Sequence, residues 1–259
     1  MLESTRAKLL ERLQPGDVVL DVGSWADPFE RADWVIDLFP YETRGLYERR
    51  GWTKPRAGAG EERFSETTWI QRDVCDREPF PFADGEIDFA ICSHTLEDVR
   101  DPVWVCSELQ RVAKAGYIEV PSRLEEQSWG VGGGEFVGWT HHHWLIDVGE
   151  ASIEFVFKTH VIHSVPEYYF PHSFWLGLRE EEKVQTLWWE GSFAYRERVI
   201  FEDSLETIAY LRDFVQAEMA ARGFKRPREL RSLPARARAR GAALGRRLRE
   251  RAGGSRLAG

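Results

Sequence analysis

The stretch FPFADGEIDFAICSHTLEDVRDP, residues 80–102, decides the fold that the sequence predicts. At its centre, residues 87–93 form a short apolar run bounded by turn residues, which is typical of a buried strand. Residues 102–112 follow with apolar side chains at helical spacing. A buried strand followed closely by an amphipathic helix is the repeating unit of an α/β sheet.

The same alternation continues on both sides of this stretch. We predict further strands at 17–23, 33–38, 68–74, 116–120 and 152–158, and further helices at 3–13 and 204–221. Continuous β-branched runs between Gly and Pro favour a mostly parallel sheet that is buried on both faces. The predicted fold class is therefore α/β, with helices flanking the sheet and an aromatic-rich C-terminal layer.

Composition and charge suggest where the chain divides. We predict an α/β domain at 1–159, an aromatic-rich extension packed on its sheet edge at 160–224, and a basic tail at 225–259. The aromatic side chains of the extension are expected to serve core and edge packing. The alternative is that some of them, including Trp175, Trp188 and Trp189, stack on a sugar or a planar molecule. Two long loops, 41–66 and 122–142, are expected to be functional or mobile, since long loops in compact domains usually are.

The 259 residues are 42% hydrophobic and 13% aromatic, which excludes a chain that is disordered throughout. Three cysteines without a CxxC pattern predict neither a disulfide framework nor a structural zinc site. The charged N-terminal stretch does not resemble a signal peptide. No apolar run reaches the ~18 residues that span a bilayer. We therefore expect a cytoplasmic protein.

The tail differs in charge from the rest of the chain. Residues 225–259 carry twelve Lys or Arg against two Glu, although the net charge of the whole chain is −8. Apolar residues at helical spacing within 230–251 are typical of a basic amphipathic helix at an anionic membrane surface or on an acidic partner. The alternative is a solvated, partly disordered tail. The tail has no aromatic residue to stack on bases, so it gives no strong nucleic-acid signal.

Three segments together resemble the class I S-adenosylmethionine-dependent methyltransferases, especially the type-11 group. VVLDVGSWADP, residues 18–28, resembles the glycine-rich motif after the first strand of that family. Residues 80–102 are similar to its fourth-strand region, and ELQRVAKAGYIEVPS, residues 108–122, to the helix and fifth strand that follow. The resemblance implies a Rossmann-like fold and methyl transfer from S-adenosylmethionine to a small-molecule or glycan-like acceptor.

The resemblance also implies a cofactor site at the carboxyl ends of the strands. By matching position its residues are Asp21, Gly23, Ser24, Asp37, Asp73, Val74 and Ser93. Asp37 is expected to accept hydrogen bonds from ribose hydroxyls, Asp73 from the adenine amino group, and Asp21 to hold the amino end of the methionine moiety. Gly23 has no Cβ, so the backbone there can approach a ligand closely.

The sequence departs from the family pattern in three respects. Trp25 stands where the family has a second Gly, and Asp98 stands where it has a second His. Only nine residues separate Gly23 from Asp33, too few for a connecting helix of three turns, so a turn is predicted there instead. These departures leave open an alternative, a binding protein on the same fold that has no turnover.

Two histidines are candidate catalytic residues. His94 follows the fourth strand, and His142 lies in the triplet 141–143. Imidazole suits the removal of a proton from an oxygen nucleophile near neutral pH. In a strand, His141 and His143 would share a face, so a metal-dependent enzyme built on them is a second alternative, although we assign no metal site.

Overall fold

The computed structural model describes residues 1–51, 61–200 and 204–226, and these residues form two sheets. In chain order the strands are β1 (Val19–Val22), β2 (Trp34–Asp37), β3 (Trp69–Gln71), β4 (Ile87–Ser93), β5 (Ala113–Pro121), β6 (Trp144–Val148), β7 (Ser152–Phe157), β8 (Val184–Glu190) and β9 (Ala194–Glu197). The α-helices are α1 (Glu3–Arg12), α2 (Leu46–Arg49), α3 (Pro102–Val112), α4 (Arg123–Glu126), α5 (His172–Trp175), α6 (Glu180–Lys183) and α7 (Ser204–Ala221).

The larger sheet has the strand order β3-β2-β1-β4-β5-β8. The first five strands are parallel, and β8 runs antiparallel to β5. After β3, at one edge, the chain crosses to β4 on the other side of β1, so the topological switch point lies between β1 and β4. The predicted α/β class with a mostly parallel sheet is confirmed.

Both faces of this sheet are covered, which explains why its strands are continuously apolar. Leu20 in β1 belongs to the same core cluster as Leu109 of α3. The next residue back, Val19, belongs to the cluster that contains Leu9 of α1. Because successive side chains point to opposite faces of a strand, α1 and α3 cover opposite faces.

The connection between β1 and β2 contains no helix, as the nine residues between Gly23 and Asp33 predicted. A buried carboxylate organises it, since Asp21 Oδ2 accepts a hydrogen bond from Phe29 N at 2.8 Å. Arg6 of α1 forms ion pairs with both Asp27, at 3.2 Å, and Glu30. The turn is thereby tied to the helix that precedes the sheet.

The C-terminal half differs from the prediction in two respects. The strand predicted at 152–158 is not in the main sheet: as β7 it pairs with β6 and β9 in a three-stranded sheet. Residues 160–202 do not form only a layer on the sheet edge, because β8 is itself the edge strand. Trp188 packs on Tyr117 at one face while Trp189 joins the α3 core cluster at the other. These two aromatic side chains therefore pack against opposite faces of the main sheet. In both sheets a strand before residue 159 pairs with a strand after it.

Helix α7 has the bounds predicted for it, 204–221. The predicted amphipathic segment 230–251 lies outside the described residues, so contact with an anionic membrane surface stays a prediction. Within the described ranges, no helix has both the length and the apolar character required to cross a membrane.

Candidate active site

A cleft of about 1140 Å³ opens at the carboxyl ends of the parallel strands. Residues that follow four neighbouring strands line it: Gly23 after β1, Asp37 at the end of β2, Asp73 after β3 and His94 after β4. It thus lies at the topological switch point, where open α/β sheets bind their ligands. Its volume is above the ~300–1,000 Å³ of most small-molecule pockets, so it can hold two reactants side by side.

Gly23 forms the turn that leaves β1. Its φ is 74°, in the left-handed region that favours glycine, and its N–H donates to Ile36 O at 2.8 Å. A Cβ at this position would lie 2.2 to 2.8 Å from the side chain of Thr95. The hydroxyl of Thr95 hydrogen bonds to Gly23 O at 3.0 Å. The glycine is therefore required by close packing against the segment after β4 as well as by its backbone conformation.

We expect Gly23→Ala to lower the free energy of unfolding by about 2–4 kcal/mol, from backbone strain and overpacking together. Gly16→Ala is the matched control, because a Cβ there meets nothing within 4 Å. Its effect should stay within about 0.5 kcal/mol. Urea unfolding followed by tryptophan fluorescence measures both variants, and equal midpoints would contradict the packing argument.

Asp37 is the last residue of β2, and it lines the cleft. It is 5% exposed, and its two oxygens accept hydrogen bonds from Trp25 N at 2.8 Å and Phe39 N at 2.9 Å. Burial raises the pKa of this carboxyl. The ring of Trp25 packs on that of Phe39 with centroids 4.4 Å apart, and its Nε1 donates to Thr43 Oγ1. Trp25 therefore forms a wall beside Asp37.

The remaining predicted cofactor residues divide into two groups. Asp73 and Val74 line the cleft with Gly23 and Asp37, and Asp73 also forms an ion pair with Arg100 at 2.5 Å. In contrast, Asp21, Ser24 and Ser93 do not line the described cleft. Asp21 in β1 and Ser24 in the turn after it are both buried, and burial raises the pKa of Asp21 to about 6. Ser93 Oγ donates to Glu119 Oε1 at 3.4 Å.

His94 lies between two buried carboxylates. Its Nε2 is 3.1 Å from Glu119 Oε1, and its Nδ1 is 3.3 Å from Glu97 Oε1. Burial alone would lower the pKa of His94, but its contacts with Glu119 and Glu97 outweigh burial and raise the pKa to about 9. Burial would raise the pKa of Glu119, and the contacts with His94 overcome it and hold that pKa at about 2. At neutral pH His94 is therefore a cation that neutralises buried acids, and it is poorly suited to the role of a base.

The histidine triplet is not in a strand, because β6 begins at Trp144. The expectation that His141 and His143 share a face by strand alternation is therefore wrong. Instead the rings of His141 and His142 meet edge to face, with centroids 4.5 Å apart. His142 Nδ1 lies 2.7 Å from Glu126 Oε1, and His142 Nε2 lies 3.7 Å from Asp98 Oδ1. The sequence analysis did not predict that Asp98, His141 and His142 lie together.

Residues 53–118 match the family model described as a methyltransferase domain. This segment of the chain is similar to a methyltransferase domain. The matched segment runs from the residues before β3 to β5 and covers about a quarter of the chain. It confirms the resemblance to the type-11 group, and it implies S-adenosylmethionine as the methyl donor.

Solved structures share this likeness at low sequence identity. A chain of the Haloferax volcanii complex that contains the Trm112 methyltransferase activator is 18% identical, with a TM-score of 0.34, over 55% of this chain and 68% of that chain. A SAM-dependent methyltransferase from Aquifex aeolicus is 22% identical, with a TM-score of 0.30, over 44% of this chain and 62% of that chain. An S-adenosylmethionine-dependent methyltransferase from Mesorhizobium loti is 17% identical, with a TM-score of 0.33, over 59% and 63%. The search of curated proteins found no match.

The charge of the cleft fits a cationic cofactor. Among the described residues, seven carboxylates line the cleft, against two basic side chains other than histidine. The seven are Asp37, Asp73, Glu97, Asp98, Glu119, Glu125 and Glu180. A cleft lined by one sign of charge concentrates ligands of the opposite sign, and a sulfonium is a cation. The carboxylate of Asp37, which can accept hydrogen bonds, and the volume of the cleft are both compatible with S-adenosylmethionine.

Proposed function

We propose that this chain is an S-adenosylmethionine-dependent methyltransferase that acts on a small-molecule, glycan-like acceptor. The observation that carries the proposal is one continuous acidic cleft at the switch point of a class I methyltransferase topology. Gly23, Asp37, Asp73 and Val74 would hold the cofactor at one end. Asp21, Ser24 and Ser93 would support them from beneath.

The bound cofactor supplies an already activated methyl group, so the work of the protein is mainly to position the acceptor. Holding two reactants in line converts a bimolecular step into an effectively unimolecular one. Here the cofactor end has rigid walls, because Asp37 accepts hydrogen bonds from the backbone of both Trp25 and Phe39.

The acceptor end is formed by the residues after β4 and by the loop before β6. His94 and His142 line it, together with the aromatic side chains of Trp139 and Trp175. Aromatic rings can pack on the apolar face of a sugar while carboxylates accept hydrogen bonds from its hydroxyls. Trp139 Nε1 donates to Glu125 Oε1 at 3.1 Å, which pairs such a ring with such a carboxylate. This combination supports a polyhydroxylated acceptor.

Calorimetric titration of the purified chain with S-adenosylmethionine and S-adenosylhomocysteine tests the cofactor site. We expect micromolar binding of both, followed by transfer of a labelled methyl group in a screen of hydroxylated small molecules. Binding without transfer to any acceptor would favour a second candidate, a binding protein without turnover, which the bulky Trp25 at the family's glycine position supports. The absence of binding by either compound would overturn the proposal.

A further inference from the structure

Three side chains of the acceptor end converge in a way that methyl transfer alone does not explain. Asp98, His141 and His142 each offer one ligand atom, and these three atoms lie within 4.8 Å of one another. Asp98 follows β4, and the histidines precede β6, so two separate loops bring them together. All three line the cleft.

Their spacing suits a metal ion. Zinc binds imidazole nitrogen and carboxylate oxygen at ~2.0–2.2 Å, which in tetrahedral geometry places donor atoms about 3.4 Å apart. His142 Nε2 and Asp98 Oδ1 are 3.7 Å apart. Small side-chain rotations would therefore be enough for both atoms to reach one ion, because Asp98 and His141 are exposed and free to adjust.

The surroundings of His142 match those of a metal-binding histidine. A metal-ligating imidazole almost always donates its second ring N–H to a carboxylate or carbonyl, which fixes the ring orientation. Here His142 Nδ1 is 2.7 Å from Glu126 Oε1, which leaves Nε2 on the side of Asp98. Glu126 is 1% exposed, and its other oxygen accepts a hydrogen bond from Lys158 Nζ at 2.6 Å. The orientation of His142 is thus set by a buried pair.

A second observation points to a missing positive charge at this place. Glu97, the neighbour of Asp98 in the chain, is 1% exposed and lines the cleft. Neither of its carboxylate oxygens accepts a hydrogen bond from the described residues, and its ion pair with His94 Nδ1 is 3.3 Å long. The His94 cation, which also pairs with Glu119, compensates this buried carboxylate only in part, and an incompletely compensated buried charge is costly. A cation bound by the adjacent Asp98 would offset that cost.

We propose that Asp98, His141 and His142 bind a divalent cation of the Zn²⁺ or Mn²⁺ type at the acceptor end of the cleft. Three protein ligands leave at least one coordination position open, as in catalytic rather than structural sites. An acceptor oxygen in that position would be oriented and made easier to deprotonate. The role toward the acceptor rests on the proposed methyl transfer, whereas cation binding itself does not.

Cation binding is measured on the full-length chain, free of any affinity tag, after treatment with a chelator and dialysis. Titration with ZnCl₂ and with MnCl₂ should give one equivalent per chain for at least one of them. Asp98→Asn and His141→Ala should each weaken binding at least 100-fold. His143→Ala is the matched control, because His143 is in the same triplet but outside the cluster, and it should bind as the unaltered chain does.

Failure of stoichiometric binding by both cations, or equal loss in His143→Ala, would overturn the proposal. Thermal unfolding of each variant shows whether it is folded. Asp98 and His141 are both exposed, and both are substituted so that the result does not depend on a single position. S-adenosylhomocysteine titration of Asp98→Asn separates the two proposals. Retained cofactor binding with lost cation binding supports both, whereas cation binding that persists in Asp98→Asn removes only the metal site.

Discussion

Asp37→Ala is expected to weaken the binding of S-adenosylhomocysteine at least 100-fold in a calorimetric titration. Asp37 ends β2 at the cleft, where the ribose of the cofactor would donate to it. Hydrogen bonds to a charged group are worth about 1.5–3 kcal/mol each. Losing two of them removes ~3 kcal/mol or more, which corresponds to over two orders of magnitude in affinity. The variant also releases the backbone N–H groups of Trp25 and Phe39, which loosens the wall of the cleft.

Asp88→Ala is the matched control for this experiment. Asp88 also accepts a hydrogen bond from a backbone N–H, that of Val18 at 2.9 Å, but it lies at the amino end of β4, away from the cleft. We expect it to bind S-adenosylhomocysteine as the unaltered chain does. If Asp37→Ala bound within threefold of the unaltered chain, the cofactor would not use the end of β2.

Glu119→Ala is expected to have the largest effect on stability. Glu119 is fully buried, and it accepts a hydrogen bond from Tyr117 Oη at 2.5 Å and contacts His94 Nε2 at 3.1 Å. Its removal leaves the buried Tyr117 hydroxyl without this acceptor and the half-buried His94 cation without its nearer carboxylate, which together should cost about 3–5 kcal/mol. Domains are stable by only about 5–15 kcal/mol in total. Urea unfolding of the variant should therefore show a midpoint far below that of the unaltered chain.

Glu190→Ala provides the comparison for a carboxylate at the surface. Its side chain is 84% exposed, and its contact with Arg12 is 4.0 Å long. Exposed ion pairs contribute about 0–1 kcal/mol, so this variant should unfold close to the unaltered chain. Similar midpoints for Glu119→Ala and Glu190→Ala would show that the His94 cluster does not stabilise the fold.

The central part of the fold could be predicted because its signals are local. Residues 87–93 and 102–112 were predicted with the bounds that β4 and α3 have. In contrast, β8 was missed as a member of the main sheet. Its partner β5 ends about 60 residues earlier in the chain, and no local pattern tells an edge strand which strand it will join. β6, which follows the histidine triplet directly, was missed as well.

The site was predictable to a similar degree and for the same reason. Gly23, Asp37 and His94 stand at the ends of strands, so the topology alone places them at the cleft. Whether an acid such as Asp21 faces the cleft or the turn depends on the loop conformation, which the family pattern does not contain. The contact of Asp98 with His142 joins loops 44 residues apart. The one available signal was the replacement of the family's histidine by Asp98.

The position of β8 has a consequence for synthesis of the chain on the ribosome. The outer edge of β5 gains its partner only after residue 190 has been made, about 70 residues after β5 is complete. At ~5–20 residues per second this takes roughly 3–14 s. Throughout that interval the edge of a largely apolar strand is unpaired, and unpaired edges are where chains associate with one another. Translation of the segment from β6 to β8 is therefore the period in which the nascent chain is most exposed to aggregation.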